Sequence, residues 1–400
     1  LAGWQRQRPI APRLHSFRPR LMFAPAGLSI FAEMTALAQR YGALNLAQGF
    51  PEFGPDPELI AAFHRALDGE SAQYAPMPGL LRLREAVAAD QLRRNATAYD
   101  PQHEVTVVPG ATLGIFSAIQ ALCGPGDEVI LLEPAYDSYH PAVVMAGAVP
   151  IAVPLEIAPE NVGINWDALT DAVTARTTMI VVNTPHNPTG MVWTHQDWAE
   201  LAARIPEHVV VLSDEVYETM VFDGASLASP HHHPELRHRS LRALSFGKTY
   251  HVTGWKLGVV LAPENLGLRL RTAYQFIAFS ASTPAQHAVA DFLESRPDYP
   301  YRLADFFQAK RDLLAASLAE SGFRTLHSAG SYFLLVDYSA VSDRADREFA
   351  EQLTREAGVA TVPLSPFYRV PPKENRMLRM CFAKDDATLR EAGHRIRTWK

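Results

Sequence analysis

The stretch Val209-Val-Val-Leu-Ser-Asp-Glu-Val-Tyr217 decides the fold class of this 400-residue chain. Its first half is a short apolar run rich in β-branched residues, which is typical of a strand buried on both faces of a parallel sheet. Its second half turns polar at Ser213 and Asp214, so a carboxylate leaves the sheet where the strand ends. Strands of this kind occur mainly in α/β proteins, in which helices cover both faces of the sheet.

Similar segments recur from about residue 104 to residue 262. The predicted strands are Glu104–Val108, Glu128–Leu132, Thr178–Asn183, Val209–Ser213 and Ala243–Ser245. The predicted helices between them are Ala111–Leu122, Trp166–Val173 and Thr194–Ile205, the last with Thr194 as its cap. Polar or glycine-containing loops follow the strands at 109–112, 133–138, 183–190 and 213–217. Because ligands of open α/β sheets bind beyond the carboxyl ends of the strands, all four loops should line one site.

The overall composition is that of an ordinary globular protein, with 48% hydrophobic and 20% charged residues. The formal net charge of −6 gives no reason to expect binding to nucleic acid or to a membrane. No apolar run reaches the ~18 residues of a membrane span. Two cysteines, Cys123 and Cys381, stand in apolar segments and indicate buried thiols rather than a disulfide framework. We therefore expect a cytoplasmic protein.

The two ends of the chain differ from its middle. Residues 1–32 carry five arginines and no acidic residue, as an organelle-targeting peptide can. The other interpretations are an irregular arm and an over-long translated start, and we adopt the arm. After about residue 295 the pattern changes to a long polar helix, roughly Tyr301–Ser321, followed by mixed α/β segments. That change predicts a second, smaller domain.

Lysine is scarce in this chain, yet two lysines stand close together in Ser245-Phe-Gly-Lys-Thr-Tyr-His-Val-Thr-Gly-Trp-Lys256. Only six of the 37 basic residues are lysine. An amine can condense with a carbonyl group to form a Schiff base, whereas a guanidinium stays protonated and cannot act as that nucleophile. Lys248 is therefore the candidate nucleophile.

Three loops carry groups that suit a cofactor with a phosphate, a ring nitrogen and a phenolic oxygen. In Pro109-Gly-Ala-Thr112, backbone N–H groups and a hydroxyl can bind phosphate at the positive end of a helix, although a tight turn with a hydroxyl cap has the same sequence. In 183–190, two prolines and a glycine hold Asn187 in a rigid loop, where its amide either reaches a ligand or closes an Asx-turn. Asp214 either keeps a heteroaromatic nitrogen protonated or caps a helix.

Two tyrosines and a histidine cluster are less specific signals. Tyr136 can stack on an aromatic ring, and Tyr217 could share a face with the carboxylate three residues before it, but aromatic residues in such loops are more often packing. The cluster His231–His233, with His238, is flanked by prolines. Adjacent histidines cannot all face one metal, so we expect a solvated loop there and no metal site.

Taken together, five segments occur in the order and spacing seen in class I aminotransferases of fold type I, which use pyridoxal 5′-phosphate (PLP). These segments are Gly110-Ala-Thr, Asn183–Gly190, Asp214–Tyr217, Ser245–Lys256 and Asn375-Arg-Met-Leu-Arg379. From about residue 25 to the C-terminus, the chain most resembles the group of kynurenine aminotransferase, glutamine transaminase K and bacterial methionine aminotransferase. The narrower resemblance is carried by Leu46-Ala-Gln-Gly-Phe-Pro-Glu-Phe53, Ser245-Phe-Gly-Lys-Thr-Tyr-His, Thr253-Gly-Trp-Lys256 and Gly330-Ser-Tyr-Phe333.

The resemblance implies an α/β fold of type I with two domains. A large PLP-binding domain would hold a mostly parallel sheet wound by helices, and a smaller α/β domain would follow it. We expect an N-terminal arm at 1–32, the large domain at 33–295 and the small domain at 296–400, with about 33–55 contributing to the small domain and the active site. The resemblance also implies a homodimer whose active sites are shared between the subunits.

The resemblance also implies a role for each matching residue. Lys248 would form the Schiff base with the cofactor and carry the proton between the amino acid Cα and the cofactor. Asp214 would pair with the ring nitrogen. The other implied cofactor contacts are Asn187 and Tyr217 at the phenolic oxygen, Tyr136 stacked on the ring, Gly110, Ala111, Thr112, Ser245 and Lys256 at the phosphate, and Tyr74 of the partner subunit. The implied substrate contacts are Arg379, Asn187 and the Gly49 backbone, with Arg379 clasping the α-carboxylate bidentately.

Lys256 departs from the wider class, because many aminotransferases have an arginine at this position. Two lysines therefore compete for the Schiff-base role. The spacing from Ser245 favours Lys248, and a lysine that binds phosphate should stay charged.

Substrate specificity is predicted from the segment Phe276–Pro284, which should cross to the partner's active site. Dicarboxylate-specific relatives present an arginine there, whereas this segment is apolar. Phe31 and Phe279 of the partner subunit would then form a hydrophobic pocket, or would instead belong to the core of the dimer interface. The predicted donors are methionine, phenylalanine, glutamine and kynurenine, and the acceptor is a 2-oxo acid.

Two rival functions differ from transamination. A PLP-dependent β-lyase acting on cysteine S-conjugates or cystathionine would use the same lysine but expel a β-substituent. A PLP-binding regulatory module of a transcription factor would need a DNA-binding domain, and only about 30 residues precede the match in this acidic chain.

Overall fold

The structure is a computed structural model that describes residues 29–69, 71–158 and 161–399. Its strands are, in chain order, β1 (Leu44–Asn45), β2 (Val105–Val108), β3 (Glu128–Glu133), β4 (Val149–Ile157), β5 (Val162–Ile164), β6 (Thr177–Asn183), β7 (Val210–Asp214), β8 (Ser240–Ser245), β9 (Gly258–Leu261), β10 (Arg324–Thr325), β11 (Phe333–Asp337), β12 (Val359–Ala360), β13 (Val362–Pro363) and β14 (Met377–Cys381).

The α-helices alternate with the strands over much of the chain. They are α1 (Ile30–Tyr41), α2 (Pro57–Asp68), α3 (Leu81–Asn95), α4 (Ala111–Leu122), α5 (Tyr139–Met145), α6 (Trp166–Ala172), α7 (His195–Arg204), α8 (Pro234–Arg237), α9 (Phe246–Thr249), α10 (Glu264–Ile277), α11 (Thr283–Ser295), α12 (Leu303–Ser317), α13 (Asp346–Gln352) and α14 (Asp386–Thr398).

A large sheet organises the first of two regions, with the strand order β2-β9-β8-β7-β6-β3-β4-β5. Strands β8, β7, β6, β3 and β4 pair in parallel, while β9 runs antiparallel to β2 and β8, and β5 antiparallel to β4. The predicted strands are all present, within one to three residues of the predicted bounds. The predicted α/β architecture, with a mostly parallel sheet wound by helices, is therefore observed.

The two faces of the large sheet bury alternate residues of its strands. Leu212 and Val181 pack with α4, α5 and α10 on one face, whereas Val211 and Val182 pack with α6 and α7 on the other. Near β2 and β9 this second face is covered by α2, α3 and α11. Consecutive residues of a strand therefore lie in different surroundings, and this matters where β7 ends.

A smaller antiparallel sheet, β10-β11-β14-β13, lies in the C-terminal part of the chain. Strand β1 pairs in parallel with β12, so residues near the N-terminus join this region. The predicted domain limits at residues 32, 55 and 295 stay a prediction. Most of the predicted arm, residues 1–28, lies outside the described residues, and α1 begins at Ile30.

Local sequence accounts for the helix that was predicted to start at Thr194. The Thr194 hydroxyl accepts the Asp197 N–H, and the Asp197 carboxylate accepts the Thr194 N–H at 2.7 Å, so the two residues form a capping box.

The predicted helix at Tyr301–Ser321 is shorter in the structure, because a 3₁₀ turn at Tyr299–Arg302 precedes α12 and the helix ends at Ser317. In the part of the chain that the structure describes, no helix is both long and apolar enough to cross a membrane.

Candidate active site

A cavity of about 280 Å³ opens where the parallel strands of the large sheet end. All four predicted loops contribute to its wall. The predicted site residues that line it are Phe31, Gly49, Gly110, Ala111, Thr112, Tyr136, Asn187, Asp214, Tyr217, Ser245, Lys248, Lys256 and Arg379. Two predicted residues, Tyr74 and Phe279, do not line it. The chain therefore brings together every predicted site residue except the two that were predicted to come from a partner subunit.

Lys248 lies in the short helix α9, which directly follows β8. Its Nζ donates hydrogen bonds to the Tyr332 hydroxyl at 2.8 Å and to the Gly49 carbonyl oxygen at 3.3 Å. Burial lowers the pKa of the Lys248 amine to about 8, and the charge of Arg379 contributes in the same direction. Neutral amine, the form needed for nucleophilic attack, is therefore accessible near neutral pH.

Asp214 ends β7 and is buried beneath the cavity. The Tyr139 hydroxyl donates to its Oδ2 at 2.5 Å, and the Val216 N–H donates to Oδ1 at 3.3 Å. No salt bridge to Asp214 occurs among the described residues. Burial raises the pKa of the Asp214 carboxyl to about 6, although the Tyr139 hydrogen bond opposes this. A cationic or N–H-bearing ligand group would therefore stabilise the ionised carboxylate.

The N-terminus of the 12-residue helix α4 forms one end of the cavity. Gly110 precedes the helix with a φ of 82°, a conformation that favours glycine. A Cβ at Gly110 would lie 3.3 Å from the Lys256 Nζ, so the lysine amine stands directly against the start of the helix. Ser245 and Thr112 add hydroxyl groups to the same wall. Backbone N–H groups, hydroxyls and an ammonium thus combine into a site that suits an anion.

Arg379 reaches the opposite wall from strand β14. The residue is 1% exposed. Its guanidinium donates to the Asn187 Oδ1 at 2.8 Å and to the Ala47 carbonyl at 2.9 Å, while Nε has no partner in the described part of the chain. The ring centroids of Phe333 and Phe31 lie 4.0 and 4.9 Å from its Cζ. A buried guanidinium without a carboxylate partner has capacity for one.

The Asn187 loop is held by contacts with a segment far along the chain. Asn183 closes the local turn, because its Oδ1 accepts the Asn187 N–H at 2.7 Å, and the Asn187 side chain therefore faces Arg379 instead of its own backbone. The Gly330 N–H donates to the Gly190 carbonyl at 2.9 Å. A Cβ at Gly190 would overlap Ser328, and one at Gly330 would lie 2.7 Å from a neighbouring carbonyl oxygen, so neither position has room for a side chain.

Tyr74 and Phe279 lie together on the surface, away from the cavity. Their rings meet edge-on with centroids 5.4 Å apart. Tyr74 is 83% exposed and Phe279 45% exposed, and Phe276 nearby in sequence is 82% exposed. Exposed aromatic residues in a group are typical of surfaces that bind another protein.

A second group of buried charged side chains lies outside the cavity. Arg242 donates to Glu215 at 2.6 and 2.9 Å and to Glu218 at 3.3 Å. Arg94, on α3, donates to Glu218 and to Asp90, each at 2.6 Å. We call these five residues the ionic network. Sequence patterns did not predict it.

The prediction of a solvated histidine loop is wrong for His231. This residue is buried, with Nδ1 2.5 Å from the Tyr99 hydroxyl and Nε2 3.1 Å from the Ser240 carbonyl oxygen, and burial holds its pKa well below the usual range. His232 and His233 follow in a 3₁₀ turn and at the cap of α8. Among the described residues, no group of three or more histidine, cysteine or acidic side chains is arranged to hold a metal ion.

Two functional candidates were missed by the sequence reasoning. Tyr139 contacts Asp214, and Tyr332 contacts Lys248. Tyr332 stands inside a segment that carried the family resemblance, and Tyr139 directly follows the predicted loop 133–138, but no local pattern distinguishes a tyrosine that packs from one that donates a hydrogen bond to a site residue.

Comparison with known proteins agrees with this geometry. The family model described as aminotransferase class I and II matches residues 41–396. Methionine aminotransferase of Escherichia coli strain K12 is 43% identical over 381 residues, covering 95% of this chain and 98% of the relative. Human kynurenine–oxoglutarate transaminase 1 is 34% identical over 402 residues, covering 92% and 95% of the two chains.

Solved structures give the same result. An Escherichia coli structure identified with a methionine aminotransferase function superposes with a TM-score of 0.92 at 42% identity, covering 95% of this chain and 99% of that chain. N-succinyldiaminopimelate aminotransferase from Mycobacterium tuberculosis superposes with a TM-score of 0.90 at 40% identity, covering 93% and 97%. The predicted fold type I architecture and the resemblance to the methionine and kynurenine aminotransferase group are confirmed. The chain is an aminotransferase and belongs to the class I and II aminotransferase family.

Proposed function

We propose that this enzyme uses PLP to move an amino group from an L-amino acid with a neutral, apolar or aromatic side chain to a 2-oxo acid, in two half-reactions. Methionine, phenylalanine, glutamine and kynurenine are the proposed donors. The observation that carries the proposal is that the cavity holds the Lys248 amine, the Asp214 carboxylate and the Arg379 guanidinium together, and that neither buried charge has an ionic partner among the described residues.

The residues present fit the groups of PLP. The start of α4 with Lys256 and Ser245 offers donors and positive charge for a phosphate. Asp214 has no cationic partner in residues 29–69, 71–158 and 161–399 and could take a protonated ring nitrogen, while Asn187 and Tyr217 line the cavity with groups for a phenolic oxygen. Tyr136 lines the same cavity, and stacking on the ring of the cofactor is its proposed role.

PLP supplies an electron sink for the negative charge that develops at the substrate Cα. The protein's part is to bind, orient and move protons. Lys248, held at the cavity wall with a pKa lowered to about 8, can accept the Cα proton and return it. Arg379 would bind the α-carboxylate, with the Nε that lacks a partner available to it. Asp214 would keep the ring nitrogen protonated, which increases electron withdrawal.

The proposed donor range rests on the aromatic surroundings of Arg379. Phe31 lies 4.9 Å from its guanidinium carbon and packs edge-on against Phe367 with centroids 5.9 Å apart. Apolar surroundings favour apolar donor side chains. The relatives named above act, by their names, on methionine and kynurenine, but also on N-succinyldiaminopimelate. A donor panel should therefore include that acidic substrate as the discriminating case.

We also propose a homodimer in which Tyr74 and Phe279 of the partner subunit complete the site. Their exposure and mutual contact outside this chain's own cavity support that role.

We also propose a cytoplasmic location, because the two described cysteines, Cys123 and Cys381, are free and buried.

The test is an absorbance spectrum of the purified protein with PLP, before and after methionine and then after a 2-oxo acid. We expect a visible band from lysine-bound cofactor, its replacement by a near-ultraviolet band with methionine, and its return with the oxo acid. A visible band that methionine leaves unchanged would retain the cofactor and Lys248 but reject the donor range. Absence of any visible band would reject the cofactor assignment.

The β-lyase alternative is not favoured, because the family and the named relatives are aminotransferases. A direct control is to supply a cysteine S-conjugate without any 2-oxo acid. Formation of pyruvate and ammonia at a rate equal to transamination would reverse that preference.

A further inference from the structure

Tyr332 lies beside Lys248 and has no part in the chemistry proposed above. Its ring is fully buried and meets Tyr217 and Phe333 edge-on, with centroids 4.9 and 4.8 Å apart. Its hydroxyl donates to the Gly49 carbonyl oxygen at 2.5 Å and accepts the Lys248 Nζ at 2.8 Å. The Lys248 Nζ also reaches the same Gly49 oxygen at 3.3 Å. Three groups from distant parts of the chain thus form a closed triangle of hydrogen bonds.

The number of donors decides what this triangle can do. A tyrosine hydroxyl has one proton, and Tyr332 gives it to Gly49, so only its oxygen lone pairs face Lys248. A neutral lysine amine has two N–H groups and one lone pair. Tyr332 and Gly49 provide two acceptors, one for each N–H. The nitrogen lone pair then takes no part in the triangle of hydrogen bonds. Because Lys248 lines the cavity, this lone pair is available to a bound ligand.

Other charged or titratable groups act on Lys248 without forming this triangle. Those that contribute are Cys381 and Arg379 on β14, Asp214 at the end of β7, and Lys256 after α9. The rings of Tyr217 and Tyr332 lie 5.8 and 5.4 Å from the amine. The acidic groups and the cations have opposing effects, and none of them is hydrogen-bonded to Nζ in the described residues.

We propose that Tyr332 is a positioning residue, whose hydroxyl holds one N–H of Lys248 and so presents the amine lone pair to the cavity. This inference rests on the proposed role of Lys248 as the reacting amine. It goes beyond that role by naming the group that sets the direction of the amine. The Gly49 carbonyl is held by the same hydroxyl, so one side chain orients both the amine and the Gly49 backbone.

The variant Tyr332→Phe tests the inference in the full-length chain freed of cofactor. The phenylalanine keeps the ring contacts with Tyr217 and Phe333, so the packing is preserved. Acetylation of Lys248 by trace acetic anhydride is followed against pH by peptide mass spectrometry, with exposed Lys373 as the internal reference. Because the lost acceptor favoured the charged amine, the midpoint should move to lower pH by about one unit.

Single-turnover kinetics of the PLP-loaded enzyme with methionine give a second result. The limiting rate of the donor half-reaction should fall about tenfold in Tyr332→Phe, because a Lys248 amine without the tyrosine hydrogen bond is misaligned for proton transfer. The methionine concentration that gives half the limiting rate should stay within about threefold, because Arg379 is unchanged. A tyrosine that only contributes packing would change neither the labelling midpoint nor the limiting rate relative to the half-saturating methionine concentration.

Tyr338→Phe is the matched control. Tyr338 is also fully buried, and its hydroxyl also donates to a backbone carbonyl, that of Arg344, at 2.8 Å. It should leave the Lys248 midpoint and the limiting rate unchanged. An unchanged midpoint in Tyr332→Phe, or an equal shift in Tyr338→Phe, would overturn the inference. Failure of the methionine spectral cycle in the unaltered enzyme would instead overturn the proposed function, because the labelling experiment needs no cofactor.

Discussion

Asp214 and Glu215 are consecutive buried carboxylates with opposite surroundings. Within the described part of the chain, Asp214 accepts hydrogen bonds only from a tyrosine hydroxyl and a backbone N–H, whereas Glu215 receives two hydrogen bonds from Arg242. Two arginines repeat the contrast, since Arg242 is paired with Glu215 and Glu218 while Arg379 has a polar Nε without a partner in the described chain. The cavity thus contains incomplete interactions, and the ionic network contains complete ones.

The presence or absence of an ionic partner distinguishes buried charges that stabilise the fold from those that are available to bind a ligand. A buried charge without an ionic partner costs stability, so it is expected where a ligand later provides the partner. A buried charge with full hydrogen bonding holds elements together, as the network does between α3, β8 and the segment after β7. Substitutions on the two sides should therefore separate activity from stability.

Replacing Lys248 by alanine should give the largest change in activity with little change in folding. Turnover should fall about 10⁴-fold, because both the covalent attachment and the proton transfer depend on this amine. The cofactor should still bind through the anion site and give visible absorbance with an amino acid. Steady-state kinetics against Lys373→Ala, an exposed lysine, provide the comparison. Ordinary turnover in Lys248→Ala would remove it from the mechanism.

Arg242→Met should give the largest change in stability. It leaves Glu215 and Glu218 buried without their shared cation, at a cost of about 3–5 kcal/mol in the free energy of unfolding. Urea denaturation measures this loss. Arg82→Met is the control, because Arg82 pairs with Glu294 at the surface and should cost less than about 1 kcal/mol. Equal losses in the two variants would mean that the ionic network contributes no more than a surface pair.

Arg379→Ala should sharpen the contrast between the two arginines. The KM for amino donors should rise about 100-fold through lost carboxylate binding, while the free energy of unfolding should change by less than about 2 kcal/mol. Arg379→Lys should lie between the alanine variant and the unaltered enzyme, since it keeps the charge but not the fork. Initial-rate kinetics over several donors test this, and an unchanged KM for all of them would exclude the role.

Asp214→Asn should produce a smaller effect with a definite pH dependence in the cofactor-free protein. Burial raises the pKa of this carboxyl from 3.8 to about 6, so the folded chain binds more protons than the unfolded chain between these values. Stability from this group is present at low pH and is lost as pH rises through about 6. The asparagine variant should be more stable than the parent above that pH, by on the order of 2 kcal/mol, and equal to it below about pH 4.

Thermal unfolding at several pH values measures the Asp214→Asn effect. Glu215→Gln is the opposite case, because it deprives Arg242 of its main partner and should destabilise the protein. A loss of stability in Asp214→Asn at alkaline pH would contradict the distinction between the two carboxylates.

The elements formed by local sequence were predicted well. Helix α4 runs over the residues expected, Thr194 caps α7 as expected, and the four loops after the strands meet at one cavity. Each of these features depends on patterns within a dozen residues or on the general geometry of parallel sheets. Antiparallel β9 and the short β5 were not predicted, because pairing direction is not encoded in a short apolar run.

Contacts between distant segments were beyond the sequence alone. Lys248 meets Gly49 across 199 positions and Tyr332 across 84, and no local pattern specifies those partners. The burial of His231 has the same origin, since its partner Tyr99 stands 132 positions away. The resemblance to a family predicted the residues that line the cavity, but not their hydrogen-bond partners Tyr139 and Tyr332.

The close packing of Gly190 against Ser328 and of Gly330 against its neighbours has a consequence for redesign of the substrate range. Substitutions at Gly190 in the Asn187 loop should yield mostly inactive proteins, because an added Cβ would overlap Ser328. Phe31, which lines the cavity, carries no such steric limit from glycine contacts. Laboratory evolution towards new donors should therefore collect its accepted substitutions on the aromatic side of the site and leave the Asn187 loop unchanged.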